Sequence, residues 1–149
     1  MQAVIFVGIQ GTGKSTFFKE RFFDTHVRIS LDLLRTRNRE RKFLEACLQS
    51  GQNFVVDNTN PSVEVRKRYI LPSQAAHFEV VGYFFEIEMT EALRRNRARP
   101  ESQRIPVQGI FATYHRIQPP SYEEGFDKLY RVRIDEKNLF QIEEWVRSP

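Results

Sequence analysis

Cysteine is almost missing from this chain of 149 residues: Cys47 is the only one. One cysteine excludes an internal disulfide and a cysteine-based metal cage, and we expect it in the core. Histidine is also scarce, and the three histidines lie far apart in the sequence, so no histidine metal site is predicted. Few cysteines are typical of a reducing compartment, and we therefore expect a cytoplasmic location.

Long apolar runs are missing as well. The run at residues 3–9 is short, has no basic residue before it and leads into a glycine-rich turn, so we expect no secretory leader and no membrane contact. With 40% hydrophobic and 28% charged residues, the composition is that of a globular protein. The length predicts a single domain over residues 1–149.

Lysine is the scarce basic residue, with 6 copies against 17 of arginine in a chain of net charge +4. The modest charge excess indicates little beyond solubility. The preference for arginine says more, because a planar guanidinium can donate two parallel hydrogen bonds to phosphate oxygens.

The most informative stretch is Gly8-Ile9-Gln10-Gly11-Thr12-Gly13-Lys14-Ser15, between an apolar run and a helical pattern. The spacing Gly-x-x-x-x-Gly-Lys-Ser is that of a phosphate-binding P-loop, in which backbone N–H groups surround the phosphates of a nucleotide. It predicts binding of a nucleoside triphosphate such as ATP, with Lys14 on the β- and γ-phosphates and Ser15 on Mg²⁺. The predicted nucleotide-binding residues here are Gly11, Thr12, Gly13, Lys14, Ser15 and Thr16.

Asp32 and Arg35 follow the second predicted strand, residues 26–30. Parallel strands that follow a P-loop end at the same edge of the sheet, so this segment faces the bound nucleotide. On a helical turn the two side chains share a face. Asp32 could then accept the proton of an attacking hydroxyl while Arg35 holds an acceptor phosphate. The alternative, that Asp32 caps a helix and pairs with Arg35 on the surface, stays open on spacing alone.

Asp57 ends the third predicted strand, residues 53–57, and is the natural partner of Ser15 in holding Mg²⁺, through a water molecule. Asn60 and Pro61 are predicted to open a helix, with Asn60 as its cap. Within that helix, residues 66–68 read as a solvated basic face.

A cluster of arginines lies between residues 94 and 104. Such runs are commonly solvated helix faces or general nucleic-acid patches. After the fourth strand of a P-loop fold we expect instead a lid, here about residues 91–105, whose arginines stabilise the transferring phosphoryl group. Thr90 is the expected cap of the lid helix, and Arg95 and Arg99 are the best pair for the phosphates. Residues 130–134 read as an edge strand, followed by a final helix capped by Asp135.

Together these segments resemble the kinase domain of the polynucleotide 5′-kinase family. The resemblance covers nearly the whole chain, and its parts occur in the same order. They are residues 8–15, Ser30–Arg35, Val56–Pro61, Arg95–Arg99, Ile105–Val107 and Glu124–Phe126.

The resemblance implies a role for each matched residue. Asp32 would be the general base on the 5′-hydroxyl, Arg35 would contact the phosphate on the 3′ side of the acceptor, and Arg95 and Arg99 would bind the donor phosphates. Thr59 and Asn60 become candidate acceptor contacts, although the cap role of Asn60 remains an equal alternative. Family members commonly carry a phosphatase, ligase or other end-healing domain, and we expect none within these 149 residues. Two alternatives stay open: a free-standing kinase, or a module of a larger enzyme or operon in which a phosphatase or ligase is the partner domain or protein.

We therefore expect an α/β fold: a parallel sheet of about five strands with helices on both faces and an arginine-bearing lid. The expected reaction is transfer of the γ-phosphate of an NTP to a 5′-hydroxyl oligonucleotide, with Lys14, Asp32 and Arg99 as catalytic residues. Two alternatives remain. One is a kinase of a small hydroxyl metabolite or nucleotide sugar, and the other is a non-catalytic nucleotide-operated switch.

Overall fold

The computed structural model describes residues 1–147 and contains a sheet of six strands in the order β2-β3-β1-β4-β5-β6. The first five strands are parallel, and β6 pairs antiparallel with β5 at the edge. The strands are β1 (Gln2–Val7), β2 (Val27–Ile29), β3 (Phe54–Val56), β4 (Glu79–Phe85), β5 (Lys128–Ile134) and β6 (Phe140–Glu144). The expected parallel α/β sheet is confirmed, with one additional antiparallel strand.

Helices cover both faces of this sheet. They are α1 (Lys14–Arg21), α2 (Leu31–Leu34), α3 (Arg37–Ser50), α4 (Val63–Ala75), α5 (Met89–Ala98) and α6 (Val107–Arg116). Short 3₁₀ helices cover Glu101–Gln103 and Tyr122–Glu124. Within residues 1–147, none of the helices combines the length and the apolarity that crossing a membrane requires.

The central strand β1 explains how the layers are held. Its side chains alternate between the two faces: Ile5 and Val7 join the core under α3 and α4, while Val4 and Phe6 join the core under α1. Because both faces are covered, the strand is apolar at every position from Ala3 onward and these residues are fully buried. The P-loop leaves the carboxyl end of this strand, so its position is fixed by the best-packed part of the molecule.

The predicted final helix is wrong. Asp135 does not cap a helix; its carboxylate accepts the backbone N–H groups of Lys137 and Leu139 in a hairpin turn. The chain then runs back as β6 beside β5. The side chains of Phe140 and Ile142, two residues apart, both pack against the core under α1. This is the side-chain spacing of a β-strand. Accordingly β5 is not the edge strand that the sequence suggested.

Two helix starts also differ from expectation. Helix α4 begins at Val63, capped by Ser62, whose hydroxyl accepts the N–H of Val65 at 3.2 Å, so Asn60 is not its cap. Helix α5 begins at Met89 after Glu88, so Thr90 lies inside it. Arg66 is completely buried rather than solvated, because Glu124 neutralises its charge inside the fold.

Candidate functional site

A cavity of about 450 Å³ opens at the carboxyl end of the parallel strands. One wall is the P-loop and the start of α1. The opposite wall is formed by the start of α2, by the loop after β3 and by Arg37, and Arg99 and Ile105 lie at the rim. The motifs that the sequence singled out in separate segments therefore open onto one space.

The P-loop is shaped by two glycines and its own side chains. Gly11 and Gly13 have φ values of 81° and 88°, which side-chain-bearing residues rarely adopt, and Gly13 is the residue before α1. The ammonium of Lys14 donates to the carbonyls of Gly8 and Ile9 at 2.8 and 2.7 Å. The hydroxyl of Thr12 donates to the Ile9 carbonyl at 2.9 Å, and Thr12 does not line the main cavity.

Burial changes the ionisation of Lys14. Desolvation lowers the pKa of its ammonium to about 8; the nearby carboxylates of Asp57 and Asp32 oppose the shift, while the positive charge of Arg99 adds to it. A negative ligand in the cavity would favour the charged form. The lysine therefore remains mostly charged at neutral pH, and bound phosphate would stabilise its charged form further.

Ser15, Asp57 and Arg28 form a connected group beside the lysine. The hydroxyl of Ser15 donates to Asp57 Oδ2 at 3.2 Å, and Arg28 Nε donates to the same oxygen at 2.8 Å. Arg28 Nη2 also donates to Ser15 Oγ at 3.2 Å. The Asp57 side chain is 2% exposed, so its charge is compensated by the arginine. The structure thus brings the two predicted Mg²⁺ residues together.

Asp32 lies on the opposite wall, exposed to the cavity at the start of α2. The segment is held by Asn58, whose side-chain oxygen accepts the backbone N–H of Leu31 at 2.8 Å. Arg35 departs from the expected arrangement: α2 ends at Leu34, and Arg35 has a φ of 75°, so it does not continue the helical turn that carries Asp32. Arg35 does not line the cavity, whereas Arg37 does.

The lid arginines lie near the P-loop but in different ways. A Cβ on Gly11 would be 3.9 Å from Cβ of Arg95 and 4.0 Å from Nη2 of Arg99, so both side chains pass the same glycine. Arg99, at the end of α5, lines the main cavity. Arg95 lines a smaller neighbouring cavity with Thr12, and its Nε donates to Glu91 at 3.1 Å.

The remaining predicted residues also line the main cavity. Thr16 lies beside Ser15, and the carbonyl of Thr59 accepts the N–H of Gly8 at 3.1 Å, which ties the loop after β3 to the P-loop. Asn60 is buried with a φ of 47°, and its amide donates to the carbonyl of Phe6 at 2.7 Å. Its side chain therefore fastens the loop to β1.

Sequence reasoning missed several residues of this cavity, among them Arg28, Arg37 and Asn58. A signal existed for Arg28, since an arginine in the middle of a short apolar strand needs a partner for its charge. No signal separated Arg37 from Arg35, because both lie in a run of alternating arginines whose directions depend on where α2 ends.

The comparisons with known proteins agree with this geometry. The sequence model of the AAA domain family matches residues 4–118. A bifunctional polynucleotide phosphatase/kinase of Schizosaccharomyces pombe is 28% identical over 137 residues, which is 88% of this chain and 33% of that protein. A protein of Acanthamoeba polyphaga mimivirus that carries the same name provisionally is 30% identical over 155 residues, which is 99% of this chain and 37% of that protein. The chain thus spans about a third of the length of these curated relatives.

Among solved structures, a gluconokinase from Sinorhizobium meliloti 1021 is similar with a TM-score of 0.64 and 15% identity, covering 88% of this chain and 81% of that one. This likeness shows the fold, which is that of P-loop kinases. The resemblance to polynucleotide kinases is confirmed by the two curated relatives. Because the family model matches residues 4–118, which is most of the sequence, the chain belongs to the AAA domain family of P-loop proteins.

Proposed function

We propose that the protein transfers the γ-phosphoryl group of ATP or another nucleoside triphosphate to the 5′-hydroxyl end of RNA or DNA, in nucleic-acid end healing. The observation that carries the proposal is that Asp32 and the P-loop open onto one cavity, so a donor phosphate and an acceptor hydroxyl can meet there. The names of the two curated relatives support a polynucleotide as the acceptor.

On the donor side, Lys14 and Arg99 neutralise charge on the phosphates. Phosphoryl transfer has a loose transition state in which negative charge collects on the transferring and leaving oxygens. Cations that are held in position before the reaction stabilise this charge without reorganising. Arg95 lies close enough to Gly11 to serve the same end of the donor.

The residues present fit Mg²⁺. Ser15 and Asp57 offer a hydroxyl and a carboxylate oxygen 3.2 Å apart, and hard oxygen atoms are the ligands this ion prefers. Among residues 1–147 no group of three or more acidic, histidine or cysteine side chains is placed to hold a metal ion, and phosphate oxygens and water would complete the coordination that Ser15 and Asp57 begin. Bound there with the nucleotide, the ion would neutralise charge on the β- and γ-phosphates.

On the acceptor side, Asp32 orients the hydroxyl and takes its proton. The new bond forms between the acceptor oxygen and the γ-phosphorus, and the bond from that phosphorus to the leaving nucleoside diphosphate breaks. The proton of the hydroxyl passes to the Asp32 carboxylate. Thr59 and Asn60 lie along the same wall and remain candidate acceptor contacts.

A phosphatase or ligase is the partner that we propose for this activity in end healing. Both curated relatives are named for a phosphatase as well as a kinase, and the matched part is about a third of each. We propose that the phosphatase or ligase step is supplied by another domain or another protein, and that the reaction takes place in the cytoplasm.

The direct test is transfer of label from γ-labelled ATP, with Mg²⁺, to a short oligonucleotide that bears a 5′-hydroxyl. The same oligonucleotide already phosphorylated at the 5′ end is the control. Label on the first alone is the expected result, in RNA, DNA or both. Label on neither, with ATP still bound, would overturn the proposal and favour a small hydroxyl metabolite as the acceptor; hydrolysis without any acceptor would favour a nucleotide-operated switch.

A further inference from the structure

Arg28 holds the two side chains that are proposed to bind Mg²⁺. Its Nε donates to Asp57 Oδ2 at 2.8 Å, and its Nη2 donates to Ser15 Oγ at 3.2 Å. The hydroxyl of Ser15 donates to the same Asp57 oxygen at 3.2 Å. The guanidinium therefore engages the electron pairs of a hydroxyl and a carboxylate, which are the groups that a hard metal ion needs as ligands.

The position of Arg28 is set by the pairing of β2 with β3. The two strands are parallel, and the backbone N–H of Asp57 donates to the Ile29 carbonyl at 2.8 Å. Ile29 packs into the core under α3 and α4. Because side chains alternate along a strand, Arg28 lies on the other face, where Ser15 is in the first turn of α1. The sheet itself thus brings the guanidinium to this pair of residues.

Burial makes Arg28 the member of the group that can move. The Asp57 side chain is 2% exposed, whereas the Arg28 side chain is 29% exposed and lines the main cavity. A carboxylate inside a fold needs a compensating cation, and Arg28 supplies it. If another cation took over this compensation, the guanidinium could turn toward the cavity and remain hydrated there.

The charge of the cavity wall acts in the same direction. Four cationic and two acidic side chains line the cavity: Lys14, Arg28, Arg37, Arg99, Asp32 and Asp57. A free divalent cation is repelled by this excess of positive charge, whereas the phosphates of a nucleotide reverse its sign. The wall therefore disfavours the free metal ion and favours the metal ion that arrives with a nucleotide.

We propose that Arg28 is a counter-cation for Ser15 and Asp57 that competes with Mg²⁺, so that the ion binds weakly alone and tightly only together with a nucleoside triphosphate. The inference rests on the proposed function in one respect, the assignment of Mg²⁺ to Ser15 and Asp57, and it is independent of the acceptor. Arg28 is a positioning residue, because it acts through these two side chains.

The test measures how tightly the protein without nucleotide binds Mn²⁺, an octahedral substitute for Mg²⁺, by electron paramagnetic resonance. Arg28→Met removes the charge and is expected to bind Mn²⁺ about 10- to 100-fold more tightly than the wild type, the size of a charged hydrogen bond. Arg28→Lys keeps a cation and should gain less than about threefold. Arg97→Met, at an exposed position outside the cavity, is the matched control and should bind as the wild type does.

A double variant and a second measurement locate the effect. Adding Asp57→Asn to Arg28→Met is expected to abolish the gain, because the carboxylate is one of the two ligands. In thermal unfolding, Arg28→Met should have a lower Tm than the wild type, and Mg²⁺ should recover part of the loss when compared with KCl at equal ionic strength. Arg28→Gln keeps one donor for Asp57 and replaces Arg28→Met if that variant does not fold.

Three results would overturn the inference. If the wild type binds free Mn²⁺ as tightly as Arg28→Met, Arg28 does not compete with the ion. If the gain survives Asp57→Asn, the ion binds elsewhere. If Arg28→Met loses stability without a gain in metal binding, Arg28 only stabilises the fold. Label transfer to the 5′-hydroxyl oligonucleotide by the wild type tests the proposed function separately, so the two failures are distinguishable.

Discussion

The two walls of the cavity are built differently. The donor wall, residues 8–15, is held mainly by contacts within the loop, although Gly8 and Ser15 also bond to the segment after β3: Lys14 bonds to carbonyls five and six residues away, and Thr12 to one three residues away. The acceptor wall, formed by Asp32, Arg37 and Asn58, is held by contacts between segments 18 to 32 residues apart. The geometry of the loop depends mainly on residues within one short stretch of sequence, whereas the acceptor wall forms only when the strands of the sheet have come together.

The largest expected effect is on the acceptor wall. Asp32→Ala should lower kcat by about 10³-fold, because a positioned general base contributes roughly 10² to 10⁴ to the rate. The affinity for ATP should remain close to that of the wild type, since the carboxylate serves the acceptor. Steady-state transfer and equilibrium nucleotide binding measure the two effects. Asp24→Ala, at an exposed position, is the control. If Asp32→Ala retains most of the transfer activity, Asp32 is not the general base.

The contrast between the walls also explains how far the sequence could be interpreted. The P-loop, the parallel strands and the cavity edge were predictable, because periodicity and a spaced motif are local signals. The final strand was missed because Leu139, Ile142, Trp145 and Val146 fit a helical spacing. The segment forms a strand because it pairs with the edge of β5, and no local sequence pattern indicates that this edge is available for pairing.

The same limit applies to side chains inside the fold. Arg66 is followed in its helix by Lys67 and Arg68, and no nearby sequence pattern indicates that Glu124, 58 residues later, neutralises it inside the fold. Arg35 and Arg37 likewise differ only through the end of α2. Of the acceptor wall, Asp32 could be predicted, whereas Arg37 and Asn58 were missed because their side-chain directions depend on the folded segments around them.

The second prediction concerns the long-range support of the acceptor wall. Arg66 is fully buried against Glu124, and its Nη1 holds the carbonyls of Asn60 and Gln118 at 3.0 and 2.9 Å. Glu124→Ala leaves this cation buried and unpaired, and should lower the free energy of unfolding by about 3 to 5 kcal/mol. Urea denaturation measures the loss. The neighbouring exposed Glu123→Ala is the control and should change stability by less than about 0.5 kcal/mol.

The third prediction tests whether the donor wall needs geometry as well as charge. Arg99→Lys keeps the positive charge but loses the planar pair of donors, and kcat should fall by about 10- to 100-fold. Arg97→Lys, at an exposed position outside the cavity, is the matched control. Transfer to a 5′-hydroxyl oligonucleotide at saturating ATP is the measurement. Near-normal turnover would show that Arg99 does not contact the phosphates in the reaction.

The smallest effect is a pH dependence that belongs to the donor wall alone. Burial lowers the pKa of Lys14 to about 8 in the free protein, and bound phosphates would raise it again. Above pH 8 the free protein increasingly holds a neutral lysine, so ATP binding must take up a proton. Above pH 8 the Kd for ATP should therefore rise with pH, by at most about tenfold per unit, and well below pH 8 Lys14 should contribute no pH dependence to it. Lys14→Met should bind ATP more weakly and lose this dependence, because it has no proton to gain; a wild-type Kd that is flat from pH 8 to 10 would mean that the lysine stays charged in the free protein.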